Sequence, residues 1–139
     1  MEAGEDCDAI LALYKNFVKG IVGLQGENGM WRQVLDSTDY RSYYETSCTA
    51  MFMLGLTRGV KNKWIDKTYI DNIDKAWEGI LKNSIDKDGN IYGVCMGSGC
   101  SMDKTYYYNI PTTINDDHGT GIVLTAASEY YMLKNNILK

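Results

Sequence analysis

Helical segments of two kinds alternate twice along this chain, and that alternation restricts the fold more than any other feature. From about Asp8 to Leu24, the residues Ile10, Leu11, Tyr14, Phe17, Val18, Ile21 and Val22 fall on one stripe, with Lys15, Asn16 and Lys19 off it. This spacing predicts an amphipathic helix buried on one side. The turn residues Gln25-Gly26-Glu27-Asn28-Gly29 end it. Ser42 and Glu45, three apart, read as a capping box. The helix they open, through about Arg58, carries Cys48, Ala50, Met51, Phe52, Met53, Leu54 and Leu56 and has almost no polar face. Gly59 reads as its stop.

The same order then recurs. Thr68 and Asp71 suggest a second capping box, opening a one-sided helix to about Asn83 with Ile73, Ala76, Trp77, Ile80 and Leu81 on its stripe. Asp86-Lys87-Asp88-Gly89 turns the chain, and a glycine-rich loop follows Ile91–Val94. The segment Tyr106–Gly121 holds the only proline, Pro111, and the only histidine, His118. Asp116 or Asp117 is placed to cap a last, mostly small and apolar helix from Gly121 to about Lys134. Gly29 and Gly89 occupy matching places in the two units. A helix apolar all round must be covered by others, so the alternation implies an all-α array of outer and inner helices, an α/α toroid or solenoid. Ala50–Leu56 and Ile122–Tyr131 are the expected inner layer. Such arrays want three or more units, and two are present here.

At 139 residues and 45% apolar, the chain is expected to form one domain with a packed core. A net charge of −4 with no Lys/Arg cluster argues against nucleic acid or anionic membrane as partner. No apolar run approaches the ~20 residues that cross a bilayer. The acidic start Met-Glu-Ala-Gly-Glu-Asp is unlike a signal peptide, so a cytoplasmic location is the expectation if Met1 is the native start. Cys7, Cys48, Cys95 and Cys100 form no CxxC pair and are expected to be thiols rather than metal ligands, with a local Cys95–Cys100 disulfide as the alternative in an oxidising compartment.

Several local patterns fail on their chemistry. Asp86-Lys-Asp-Gly-Asn is not a calcium loop, because Ile91 and Gly97 stand where glycine and a carboxylate are needed. Gly93–Gly99 lacks the Gly-Lys-Ser/Thr of a phosphate loop. Ser98 and Ser101 have no histidine partner in motif spacing, and His118 as a general base lacks one too. What remains is a set with one shared property. Trp31, Gln33, Glu45, Ser47, Asp116 and His118 lie in loops after outer helices or at the starts of inner ones, which in a toroid gather on one rim. A tryptophan platform beside amide and carboxylate groups suits a sugar ring, whose C–H face stacks while its hydroxyls hydrogen-bond.

Five stretches in order carry a resemblance: Gly29–Asp36, Tyr44–Phe52, Tyr92–Gly99, Tyr107–Thr112 and Asn115–Gly119. Together they resemble the C-terminal part of the unsaturated rhamnogalacturonyl hydrolases, glycoside hydrolase family 105, close to family 88. The resemblance implies a six-hairpin (α/α)6 barrel, of which this chain would supply two outer/inner hairpins. It implies removal of a 4,5-unsaturated uronic acid from pectin-derived oligosaccharides by hydration of the double bond, with no metal or organic cofactor. In that chemistry an aspartic acid protonates C4 and helps add water at C5. The family's aspartate lies in an N-terminal half that nothing here matches, so the expectation is a C-terminal portion that supplies pocket wall, with no catalytic residue of its own. Its six rim residues would then bind or position substrate, and its uncovered helices would self-associate. Arg32, Cys48 and Asp117 depart from the family pattern, where a histidine or aromatic, a small residue and a proline are usual. Two other readings stand beside this one: a carbohydrate-binding or partner-completing remnant, and a structural helical repeat.

Overall fold

The computed structural model describes residues 5–135; the acidic start at Met1, on which the reading of the leader rests, lies outside them. Helix α1 (Glu5–Val22) is followed by α2 (Thr46–Lys61), α3 (Ile70–Asn83), the five-residue α4 (Lys104–Tyr108) and α5 (Asp117–Lys134). A two-residue antiparallel ladder joins β1 (Val94–Cys95) to β2 (Thr112–Thr113), pairing Val94 with Thr113 and Cys95 with Thr112.

Helix α2 is the axis of the packing. Ala50, Met53 and Leu56 are fully buried, and so are Thr49 and Thr57. The two threonines are satisfied inside the helix, donating to the carbonyls of Glu45 at 2.7 Å and Met53 at 2.8 Å. An apolar helix can therefore hold them at no hydrogen-bonding cost. Helix α1 covers one flank: Val18 and Ile21 are buried, Phe17 meets Phe52 edge-on at 5.8 Å, and Tyr14 donates to the Gly55 carbonyl at 3.0 Å. Helix α3 covers another flank through Ile73, Ala76 and Ile80. Helix α5 lies beside α2 with Val123 and Ala126 inward, and Glu129 pairs with Lys61 and Arg58 of α2. On its far side α5 meets α3, where Tyr130 donates to Asp74 at 2.9 Å and packs on Trp77 at 5.9 Å. The result is two outer/inner helix pairs side by side, with α2 and α5 in the inner position and Met51, Leu124 and Tyr131 of these helices exposed among the described residues.

Several local expectations are corrected. Neither capping box forms. Glu45 itself is the N-cap of α2, accepting from the Ser47 and Cys48 amides, because the Ser42 hydroxyl is already committed to both backbone groups of Val34. Asp66 caps a 3-10 turn, Lys67–Tyr69, that leads into α3, so Thr68 and Asp71 cap nothing. Gly59 does not stop α2, which continues to Lys61; it is a contact glycine, where a Cβ would stand 1.9 Å from the Tyr14 hydroxyl. Helix α5 begins four residues before Gly121, capped by Asp116. Ile10 and Phe17, expected on a buried stripe, are 68% and 52% exposed, and Leu13 beside them is also open. Apart from the contact of Phe17 with Phe52, that stripe is largely uncovered among the described residues. Gly29 and Gly89 do match: both adopt positive φ, 85° and 82°.

Candidate functional site at the N-terminal ends of the inner helices

Two extended pieces clasp the start of α2. On one side, the Glu45 amide donates to Trp31 at 2.9 Å and the Gln33 amide to Tyr43 at 2.8 Å. On the other, the Thr46 amide donates to Gly93 at 2.9 Å and the Thr46 hydroxyl to Tyr92 at 2.7 Å. The Glu45 carboxylate closes the clasp. It accepts from the Ser47 and Cys48 amides, from the Ser47 hydroxyl at 2.9 Å and from the Cys95 amide of β1 at 3.0 Å. Helix α5 reaches the same place because its first turn carries Gly119, where any Cβ would stand 2.4 Å from Val94. Only glycine lets α5 sit this close to β1.

The loop before α5 is held by Asn115, which has a left-handed φ of 55°. Its side-chain Oδ1 accepts from the Ile91 amide at 2.8 Å, and its backbone amide donates to the Ile91 carbonyl at 2.8 Å. Asp116 then caps α5 through the His118 amide at 3.1 Å, and its carboxylate also meets His118 Nδ1. The His118 side chain is 53% exposed and that of Asp116 19%. They present an imidazole and a carboxylate to solvent as one oriented pair.

All six residues singled out from sequence therefore belong to one end of the inner helices, but not in equal roles. Trp31 is no stacking platform. It is fully buried, its indole N–H donating to the Ile21 carbonyl at 2.6 Å and its ring edge-on to Phe52 at 5.3 Å. The Ile21 carbonyl, in the last turn of α1, also accepts from the Leu24 amide at 3.0 Å, so the indole adds a second donor to it. Glu45 and Ser47 are likewise enclosed, 2% and 6% exposed, with their polar atoms turned on each other and on the backbone. Only Gln33, Asp116 and His118 are accessible, Gln33 donating weakly to the Cys95 sulfur at 3.5 Å.

Sequence reasoning missed Tyr43, Cys95 and Asn115. The Tyr43 hydroxyl is buried with no hydrogen-bond partner, and burial beside Cys95 and Glu45 pushes its pKa well up, so it stays protonated. Burial, with the Glu45 charge nearby, also pushes the Cys48 thiol up to about 12. Past β1, the loop carrying α4 folds back over the 33–44 segment through Ser37–Tyr108 at 2.8 Å and Lys104–Asp36 at 3.0 Å. The run Tyr106-Tyr107-Tyr108 was the available signal for that docking. Among the described residues, no group of three His, Cys, Asp or Glu is placed to hold a metal ion, and no helix is long and apolar enough to cross a membrane.

The sequence pattern of Glycosyl Hydrolase Family 88 matches residues 2–134. The chain belongs to this family. It is 34% identical over 123 residues to an unsaturated 3S-rhamnoglycuronyl hydrolase of Alteromonas sp. (strain LOR), covering 88% of this chain and 28% of that protein. It is 26% identical over 120 residues to the unsaturated rhamnogalacturonyl hydrolase YesR of Bacillus subtilis (strain 168), covering 86% of this chain and 32% of that one. The family 88 chain thus spans about a third of the length of these curated relatives. A crystal structure of a possible GH105 member from Salmonella enterica serovar Paratyphi A superposes with a TM-score of 0.86 at 27% identity, over 98% of this chain and 34% of the other. A family 105 glycoside hydrolase from C. acetobutylicum gives 0.87 over 95% and 40%. The two helix pairs are accordingly a portion of an all-α, (α/α)6-type toroid.

Proposed function

We propose that this chain is a single-domain C-terminal portion of an unsaturated glycuronyl hydrolase. The complete enzyme removes a 4,5-unsaturated uronic acid from pectin-derived, rhamnogalacturonan-type oligosaccharides by hydrating the double bond. The observation that carries this reading is the family match over nearly the whole chain, joined to relatives named as unsaturated rhamnoglycuronyl and rhamnogalacturonyl hydrolases. The rim of the inner helices is the part of the pocket wall that this chain supplies. Gln33, Asp116 and His118 face the substrate, while Trp31, Glu45 and Ser47 form the frame behind them.

No group in this set suits the role of acid. The Asp116 carboxylate is engaged as the cap of α5, accepting from the His118 amide and meeting the His118 ring. The proton for C4 therefore comes from the segment of the relatives that this chain does not span. The reading also accounts for the open stripe Ile10, Leu13 and Phe17 on α1, which a preceding helix pair would cover. Without that pair the stripe drives self-association. A cytoplasmic location fits the four unpaired thiols.

The test is complementation. Co-expression with the N-terminal two-thirds of a family 88 relative should give a co-purifying complex that consumes the ultraviolet absorbance of an unsaturated rhamnogalacturonan disaccharide. A complex that forms and stays inactive, or no complex at all, would overturn the proposal.

A further inference from the structure

At the opposite end of α2 from the rim, a groove of about 590 Å3 runs between the two outer-layer elements, α1 on one side and the 3-10 turn before α3 on the other. Lys15 and Lys19, one helical turn apart on α1, face Lys63 and Lys67 across it, and Trp64 and Tyr69 line the wall between. Asp66 is the one carboxylate in the lining, and it is occupied in capping the Thr68 amide at 2.8 Å. Among the described residues none of the four lysines pairs with a carboxylate. A chain of net charge −4 has thus collected four unpaired cations around one aromatic that is 46% exposed. Concentrated like charge is costly unless an anion shares it.

The groove is also built rather than incidental. The Trp64 and Ile65 amides both donate to the Gly59 carbonyl, at 2.9 and 3.3 Å, and Lys63 holds a left-handed φ of 59° to make that turn. Tyr14 braces the Trp64 ring edge-on at 6.1 Å, leaving part of the ring open. Both walls come from this chain, so the groove needs no further segment to exist.

We propose that this groove is a second binding site, for an acidic oligosaccharide. A uronate ring lays its C–H face on Trp64, and its carboxylate and those of neighbouring units meet the lysines on either side. The proposal rests on the function proposed above only in choosing a uronate chain among anions. It concerns a surface at the far end from the rim, which would hold the polymer while its terminus is processed.

The experiment titrates the purified chain with trigalacturonate, which has no 4,5 double bond, at low salt and follows tryptophan fluorescence and heat. Of the three tryptophans, Trp31 is buried and Trp64 is the most exposed, so a ligand in the groove reports through Trp64. Saturable quenching is expected, weakened at least about tenfold by the double change Lys15→Glu/Lys19→Glu, and unchanged by His118→Ala. Both lysines are on the exposed face of a helix, so the double variant should keep its helical circular dichroism. A neutral galactotriose should not bind, and inorganic phosphate should bind without quenching. Absence of binding, equal binding of galactotriose, or affinity untouched by the double variant would each overturn the site. Because nothing here depends on turnover, failure of the groove leaves the hydrolase reading standing, and failure of complementation leaves the groove standing.

Discussion

Two carboxylates begin the two inner helices, and the contrast between them separates a closed frame from the open rim proposed as the site. Glu45 at the start of α2 is 2% exposed and takes donors from its own helix and from β1. Asp116 at the start of α5 makes a single cap bond and spends its remaining capacity on an exposed imidazole. The capping device is shared, but burial separates the outcomes. A carboxylate with four protein donors in a closed space can only hold elements together, whereas one with an open neighbour can still meet a ligand. The same division sorts Trp31 from His118: one ring completes the core, the other faces solvent.

The largest expected effect falls on the frame. Trp31→Ala should cost ~3–5 kcal/mol of stability, as for other buried large-to-small changes. Glu45→Ala should cost ~2–4 kcal/mol, combining a lost cap with a buried Cys95 amide left without acceptor. Chemical denaturation of the purified chain measures both. A Trp31→Ala chain of unchanged stability would return the indole to the role of surface platform.

The open cap should behave otherwise. Asp116→Ala is expected to cost only ~1 kcal/mol, and His118→Ala less than about 0.5 kcal/mol, as an exposed residue. In the complemented enzyme, however, both should depress kcat/KM by more than tenfold, about 1.4 kcal/mol of transition-state stabilisation. Stability and activity would then be lost at different residues of one rim. Loss of both together at Asp116 would erase the distinction.

A smaller effect is expected at the other end of the same two helices. The Lys61 ammonium, with Arg58 beyond it, holds the Glu129 carboxyl below its usual range. A depressed folded pKa stabilises the fold above the ordinary carboxylate pKa, and that stability is lost as pH falls through the lowered value. Glu129→Gln should therefore flatten the acid limb of the stability profile while leaving the neutral plateau slightly lower. An unchanged acid limb would show that the α2–α5 ion pair contributes nothing.

The layers were legible in the sequence, and the reason is physical. A helix with no polar face calls for cover, and Ala50, Met53, Leu56, Val123 and Ala126 have it, whereas Met51, Leu124 and Tyr131 of the same two helices are exposed among the described residues. Asp116 was legible as a cap because it directly precedes its helix. Glu45 was misassigned because the pattern of Ser42 and Glu45 matches a capping box locally, while the Ser42 hydroxyl is claimed by Val34 eight residues away. Trp31 misled for a related reason. A tryptophan in a loop reads as exposed, and nothing local reveals that its indole N–H will reach the Ile21 carbonyl, ten residues back. Gly59 looked like a stop and is a point of contact with Tyr14, a relation between residues 45 apart in sequence. The ladder of β1 and β2 is two residues long, too short for any alternation to show.

The central claim is that this chain supplies wall and not acid. The most direct test is the chain by itself, incubated with an unsaturated rhamnogalacturonan disaccharide while absorbance of the conjugated double bond is followed. The account predicts a flat trace at neutral pH, for the parent and for Asp116→Asn alike. Steady loss of absorbance by the parent, abolished by Asp116→Asn in a chain that still folds, would contradict it and make Asp116 the proton donor.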